Sequence, residues 1–307
     1  MSDPQSIDGV LVQWGERLFY PGNRIVKVAP QPKLAANLLR QRANAVRDRI
    51  EATVVRRAPQ VMVKVTGGGR GMKAIAAHFK YISKSGRLDI EDDRGEVLRG
   101  KDDLRGLADD WRLGGTPIDD VGFRREAFNI MLSMPRGVDP LYVLKAAREF
   151  AQTELDDHKY VMVLHAHQAN PHVHLSVRAE SRHGQRMNPR KSDLIRWRQT
   201  FAEKLRVWGI DAEASSRGIR GQGCGNESLW RIKAREDQRL RSARPGRSSS
   251  RNASGAGWAR EAWVSVSTAL ASSTLSSDRR LGAAIEQLVS IDKNASTHAF
   301  HSRGLER

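Results

Sequence analysis

The run HAHQANPHVHLSV, residues 165–177, places four of the chain's nine histidines, His165, His167, His172 and His174, within ten positions. Side chains two apart on a strand project to the same face, so His172 and His174 in PHVHL emerge side by side. His165 ends the preceding strand candidate, KYVMVLHAH, and can face them across a hairpin. Three imidazoles converging on one point, with positions left open for water or substrate, describe a catalytic metal site more than a closed structural one. His167 is either a fourth ligand or a group that orients another imidazole. Zinc is the first ion that this ligand type suggests, although spacing does not identify the ion. The plain alternative is a set of core or surface histidines that bind nothing, and period-two spacing on adjacent strands weighs against it.

Two more stretches bear on chemistry. Tyr81, one of four tyrosines, sits in FKYISKSG between Lys80 and Lys84. Its ordinary role would be that of an amphipathic residue at the rim of a core, but a phenol attacks a phosphodiester when a cation or base helps to remove its proton. GGGRG, residues 67–71, follows a strand-like segment and precedes a helical one. It lacks the GK[ST] ending of a phosphate-binding loop and the later acid of a dinucleotide fold. Its roles are therefore a tight turn or backbone N–H groups near a nucleic-acid phosphate.

The elements that must hold these residues follow from periodicity. VMVKVT (61–66), AFNIMLSMP (127–135), KYVMVLHAH and PHVHLSVRAE read as strands. MKAIAAHFKYISKSG, DDLRGLADDWRLG, DPLYVLKAAREFAQTEL and DLIRWRQTFAEKLRVWGI read as helices, with an acidic loop before the second. The last two strands are too close in sequence for a crossover and must pair antiparallel. The expected fold class is α+β, with helices covering one face of a mostly antiparallel sheet. Residues 1–60 read as a leader with an arginine-rich amphipathic helix, 61–235 as the core domain, and 236–307 as a flexible, basic, Ser/Arg-rich tail with a short helix near LGAAIEQLV.

Composition sets the class of partner. Lys+Arg number 52 against 35 Asp+Glu, a net charge of +17, which points to a polyanion and by default to DNA or RNA. An arginine-rich surface on an ordinary soluble protein is the alternative. The single cysteine, Cys224, excludes a disulfide framework or thiolate zinc knuckle built from this chain alone. No signal-peptide pattern or bilayer-length apolar run is seen, so a soluble cytoplasmic protein is expected.

These pieces together resemble a known family. HAHQANPHVHLSV resembles the three-histidine motif of the relaxases, the plasmid mobilisation nucleases of the HUH endonuclease superfamily, and is most like the MobA-like and T-DNA border-nicking types. VKVTGGGRGMKAIAAHFKYISKSG is similar to the family's first motif, and IMLSMPRGVDP to its middle one; in the family's order they cover residues 61–220. The resemblance implies a relaxase-like palm in which Tyr81 attacks the scissile phosphate, leaving a 5′-phosphotyrosyl link and a free 3′-OH. It implies that His165, His172 and His174 hold a divalent ion, Mg²⁺ or Mn²⁺, and that Ser133 lies near the DNA backbone. His167 stands where some relatives carry Asp in a proton-accepting role. On that reading Arg70, Lys80, Lys84 and Arg87 hold adjoining phosphates of single-stranded or supercoiled DNA at a transfer origin. Accessory relaxosome proteins and a type IV secretion coupling protein are the implied partners, with export alongside the transferred DNA. The alternatives are a metal-dependent nuclease using activated water and a non-catalytic DNA-binding mobilisation accessory.

Overall fold

The computed structural model describes residues 6–19, 35–216, 219–220 and 250–301, with side chains for 257–290 of the last stretch. The chain divides into two compact units, residues 58–214 and residues 1–57 together with 215–307. The first of these divisions lies three residues from the boundary expected at 60, and the boundary expected at 235 lies outside the described residues.

The first unit is built on six strands: β1 (Met62–Gly67), β2 (Ile90–Asp92), β3 (Val97–Leu98), β4 (Ala127–Ser133), β5 (His158–His165) and β6 (His172–Ser181). Their order is β1-β4-β6-β5-β2-β3 with every neighbouring pair antiparallel. The expected acidic loop is in fact the β2–β3 hairpin. Its acids are structural, since the buried Asp92 carboxylate accepts from the backbone N–H groups of Arg94 and Glu96 in the turn.

Helices cover both faces of the sheet, not one. Even-numbered β4 and β5 residues and odd-numbered β6 residues (Ile130, Leu132, Met162, Val173, Leu175) pack with Val143, Phe150, Phe201 and Leu205, from α6 (Pro140–Glu154) and α7 (Lys191–Val207). The opposite face, through Ala127, Val161 and Val163, packs with Ile75, Phe79, Ile82, Leu107 and Trp111, from α4 (Met72–Ile82) and α5 (Lys101–Leu113). A strand buried on both faces reads as a continuous apolar run, which is the pattern of KYVMVLH and AFNIML. The amphipathic pattern of α4 places Met72, Ile75, Phe79 and Ile82 against the sheet. That choice fixes which residues of the last turn face the histidines.

The glycine turn between β1 and α4 is a close-packing device. A Cβ on Gly68 would lie 2.2 Å from the Ala127 carbonyl oxygen, and one on Gly71 2.5 Å from that of Asp120. The N–H groups of Gly69, Met72 and Lys73 donate to the carbonyls of Ala127, Asp119 and Asp120. They are thus occupied by the protein, and the turn does not offer them to a phosphate.

The second unit contains α1 (Ile7–Val10), a π-helical stretch Leu11–Gly15, α2 (Glu16–Phe19), α3 (Ala36–Ile50) with a second π-helical stretch Glu51–Val55, α8 (Ser250–Ala271) and α9 (Ser276–His301). The described part of the expected flexible tail is therefore helical. Trp263, Val266, Leu270, Leu281 and Ile285 share a core with Leu11, Phe19, Val46 and Ile50. Its serines mimic a linker in composition, but Ser265 and Thr268 donate back to the carbonyls of Glu261 and Val264 within the helix. Arg47 donates to Asp278 at 2.8 Å, and Ser273 donates to the same carboxylate at 2.9 Å, tying α3 to the start of α9. No helix among the described residues is long and apolar enough to cross a membrane.

Candidate active site

Register brings the histidines together. His165 on β5 pairs directly with His172 on β6, and His174 follows two positions along the same face. One ligand atom from each of His165, His172 and His174 lies within 4.8 Å of the other two. Their ring centroids are 4.6 Å (His165–His174), 5.0 Å (His165–His172) and 5.0 Å (His172–His174) apart.

Backbone carbonyls set how two of the rings are turned. His165 Nε2 lies 2.7 Å from the Ile82 carbonyl and His172 Nδ1 lies 2.9 Å from that of Asn170. Each carbonyl can only accept, so those nitrogens carry the proton and leave His165 Nδ1 and His172 Nε2 as lone-pair donors. His165 Nδ1 and His174 Nδ1 are buried with no protein partner among the described residues. Orphaned buried nitrogens beside one another are costly unless something fills the space between them. The donor set therefore fits a divalent ion held by His165, His172 and His174.

The electrostatics agree. Burial, and then the like neighbours His165, His172 and His78, push the His174 imidazolium down to about 3. Burial is also the main reason that His165 is shifted down, with His172, His167 and Lys84 adding to it. Neutral imidazoles near pH 7 are the ligating form.

Helix α4 delivers the tyrosine. It ends at Ile82 because Lys84, Ser85 and Gly86 take left-handed backbone conformations, φ +52°, +63° and +81°. The buried Ser83 hydroxyl accepts from the Gly86 N–H at 3.0 Å and closes the turn. Terminal carbonyls of a helix lack an intrahelical partner, and that of Ile82 is taken by His165. Tyr81, the adjacent residue, is 69% exposed. Of the other tyrosines, Tyr160 is 5% exposed and burial pushes its phenol up to about 12. Tyr142 packs at 6.3 Å against Trp208 on the α6–α7 face, and Tyr20 lies outside the described residues.

The remaining site candidates separate. Lys84 is close enough to depress His165; Lys80 is exposed one residue before Tyr81, and Arg87 is exposed with its Nε donating to the Lys84 carbonyl. Arg70 stands before the first turn of α4, and eleven helical residues at about 1.5 Å each separate it from the Tyr81 end. His167 is exposed in the hairpin loop, its ring 5.2 Å from that of His165, and is not one of the three converging ligands. Ser133 pairs with His172 across β4 and β6 and is 4% exposed. Its hydroxyl lies 3.4 Å from the carbonyls of both Met134 and Pro171, to which it can donate, at the turn into His172.

His78 was not singled out from sequence. It lies one turn before Tyr81 and Ile82, its ring 6.1 Å from that of Tyr81 and 6.5 Å from that of His174. Its Nε2 is buried with no partner among the described residues, and burial shifts the ring's pKa down. The available signal was helical: positions i, i+3 and i+4 share a face, so a tyrosine assigned to the site draws in the residue three before it.

No curated protein matches the chain. A family match spans α5 through α7, including Ser133 and all four clustered histidines, and begins after Tyr81. Residues 99–210 match the family model described as Relaxase: MobA/VirD2-like, nuclease domain, so the family that the histidine motif resembles is also the family found.

Proposed function

We propose that the protein nicks one strand of DNA at a transfer origin and holds the cut end on Tyr81. The observation that supports this reading is that the exposed Tyr81 ring lies 6.1 Å from that of His78, which lies 6.5 Å from that of His174 in the three-histidine cluster. The Tyr81 oxygen attacks the scissile phosphorus and the bond to the 3′ oxygen breaks. A 5′-phosphotyrosyl link and a free 3′-OH result, and the retained ester energy allows the strand to be rejoined after transfer. His165, His172 and His174 hold a divalent ion, Mg²⁺ or Mn²⁺, which supplies positive charge at a phosphate oxygen. On this reading His167, whose ring lies 5.2 Å from that of His165, takes the phenol proton, and Lys80, Lys84 and Arg87, close in sequence to the tyrosine, hold adjoining phosphates. Accessory relaxosome proteins and a secretion coupling protein complete the role, with the protein acting in the cytoplasm and travelling with the DNA.

The test is incubation of the full chain and Mg²⁺ or Mn²⁺ with labelled single-stranded origin DNA, followed by denaturing electrophoresis. The expected product is a detergent-resistant protein–DNA adduct that Tyr81→Phe abolishes. Cleavage without an adduct would replace this reading with a nuclease using activated water, and a mobility shift without cleavage with a DNA-binding accessory.

A further inference from the structure

At the far end of α4 from Tyr81, an open cleft of about 420 Å³ is lined by Arg70, Phe123, Arg125, Phe128, Asn188 and Leu194, among others. Two glycine-bearing loops build it. Gly68 leaves room for Arg125, because a Cβ there would lie 3.0 Å from the arginine's Cδ. Gly122 lets the second loop close on the first, since its Cβ would lie 2.7 Å from the Arg70 carbonyl oxygen. Phe123, the residue after Gly122, and Arg70 line the same cleft, and the Arg125 guanidinium lies 5.0 Å from the centre of the Phe128 ring.

The chemistry of the cleft is mixed in a specific way. Phe128 and Leu194 give it an apolar floor, while Phe123 on its wall is 100% exposed, the most exposed large apolar side chain described. Neither Arg70 nor Arg125 has an ion pair among the described residues, whereas neighbouring Arg124 is neutralised by Glu126 at 2.9 Å. Asn188 offers both a donor and an acceptor. An unburied aromatic ring beside two unneutralised guanidiniums has the complementarity of a stacking platform for an unpaired base with its phosphate.

We propose that this cleft receives one unpaired nucleotide of the bound strand, with its base on Phe123 and its phosphate on Arg70 and Arg125. The proposal rests on the DNA-strand reading above. It gives the GGGRG turn a further role, since the turn's glycines shape the cleft and its arginine contacts the strand away from the cut. Asn188 would read the base edge, so the cleft would contribute to which origin is chosen.

The test measures fluorescence anisotropy of labelled oligothymidylate and of an abasic deoxyribose-phosphate chain of equal length, binding to the full protein in chelator so that no cleavage intervenes. The wild type is expected to prefer oligothymidylate. Phe123→Ala should weaken that binding about fivefold or more while leaving the abasic chain unaffected. Phe123→Tyr should restore the preference. Arg70→Ala and Arg125→Ala should weaken both ligands and each lower the salt slope by about 1. Because Phe123 is fully exposed, its truncation leaves the core intact. If Phe123→Ala binds oligothymidylate as the wild type does, the subsite is wrong and the DNA reading stands. If the wild type binds neither chain, both fall together.

Discussion

The roles proposed for Tyr81 and for the three histidines separate experimentally. Tyr81→Phe should remove the covalent adduct altogether while anisotropy-measured DNA affinity changes less than about twofold, since a single phenol oxygen contributes little to strand binding. Tyr160→Phe should leave the adduct intact, as that ring is buried. His172→Ala should lower divalent-ion affinity at least about tenfold by calorimetry, with adduct formation falling in parallel. The acid response of the metal-free protein has a defined sign. His174 titrates at 6.5 in the unfolded chain and at about 3 when folded, so between those values the unfolded state binds the extra proton. Stability should therefore be complete above about pH 6.5 and fall as pH drops towards 3. Denaturant midpoints across that range measure it, and His174→Asn should flatten part of the slope.

The elements that were legible in sequence are the long periodic ones: α4 to α7, and the β-branched runs of β1, β4, β5 and β6. The histidine ligands followed from the same signal, because period two on adjacent strands converts spacing into convergence. The β2–β3 hairpin was hidden, since Ile90–Asp92 and Val97–Leu98 are short and carry acids whose backbone contacts only a folded turn displays. The setting of Ser133 was hidden for a related reason: sequence locates it at a strand end beside the site, but its burial and its contacts with the Met134 and Pro171 carbonyls are matters of packing. His78 was missed because a lone histidine on a helix gives no pattern of its own. The glycine turn makes a prediction at this scale. Gly68→Ala must move either the Ala127 carbonyl or the strand that bears it, and should cost about 1–3 kcal/mol in denaturant unfolding.

For the whole molecule, contacts divide the chain at 57 and 214, so the catalytic candidates all lie in residues 58–214. That fragment should fold alone and retain divalent-ion binding by calorimetry. The described residues of the other unit are mainly helical, and those near the C-terminus carry a Ser-rich composition that reads as a linker. Its buried polar anchor is Asp278, with a side chain 2% exposed against Arg47 at 18%. Asp278→Ala leaves Arg47 with Asp8 at 2.9 Å as its remaining carboxylate partner and should destabilise that unit by about 1–2 kcal/mol, seen as a shift in one thermal transition while the melting of residues 58–214 is unchanged.

The Ile82 carbonyl has one further consequence. It is the point where a helix end and a candidate metal ligand become a single thermodynamic object. Whatever ion favours the ligating orientation of His165 favours the closed last turn of α4 by the same free energy, and the converse must hold, because such coupling is reciprocal. Loading the site should slow amide exchange from Lys80 to Gly86, and a strand drawn against Tyr81 should tighten the ion. On this account the proposed nucleophile and the proposed metal charge are put in place by one equilibrium.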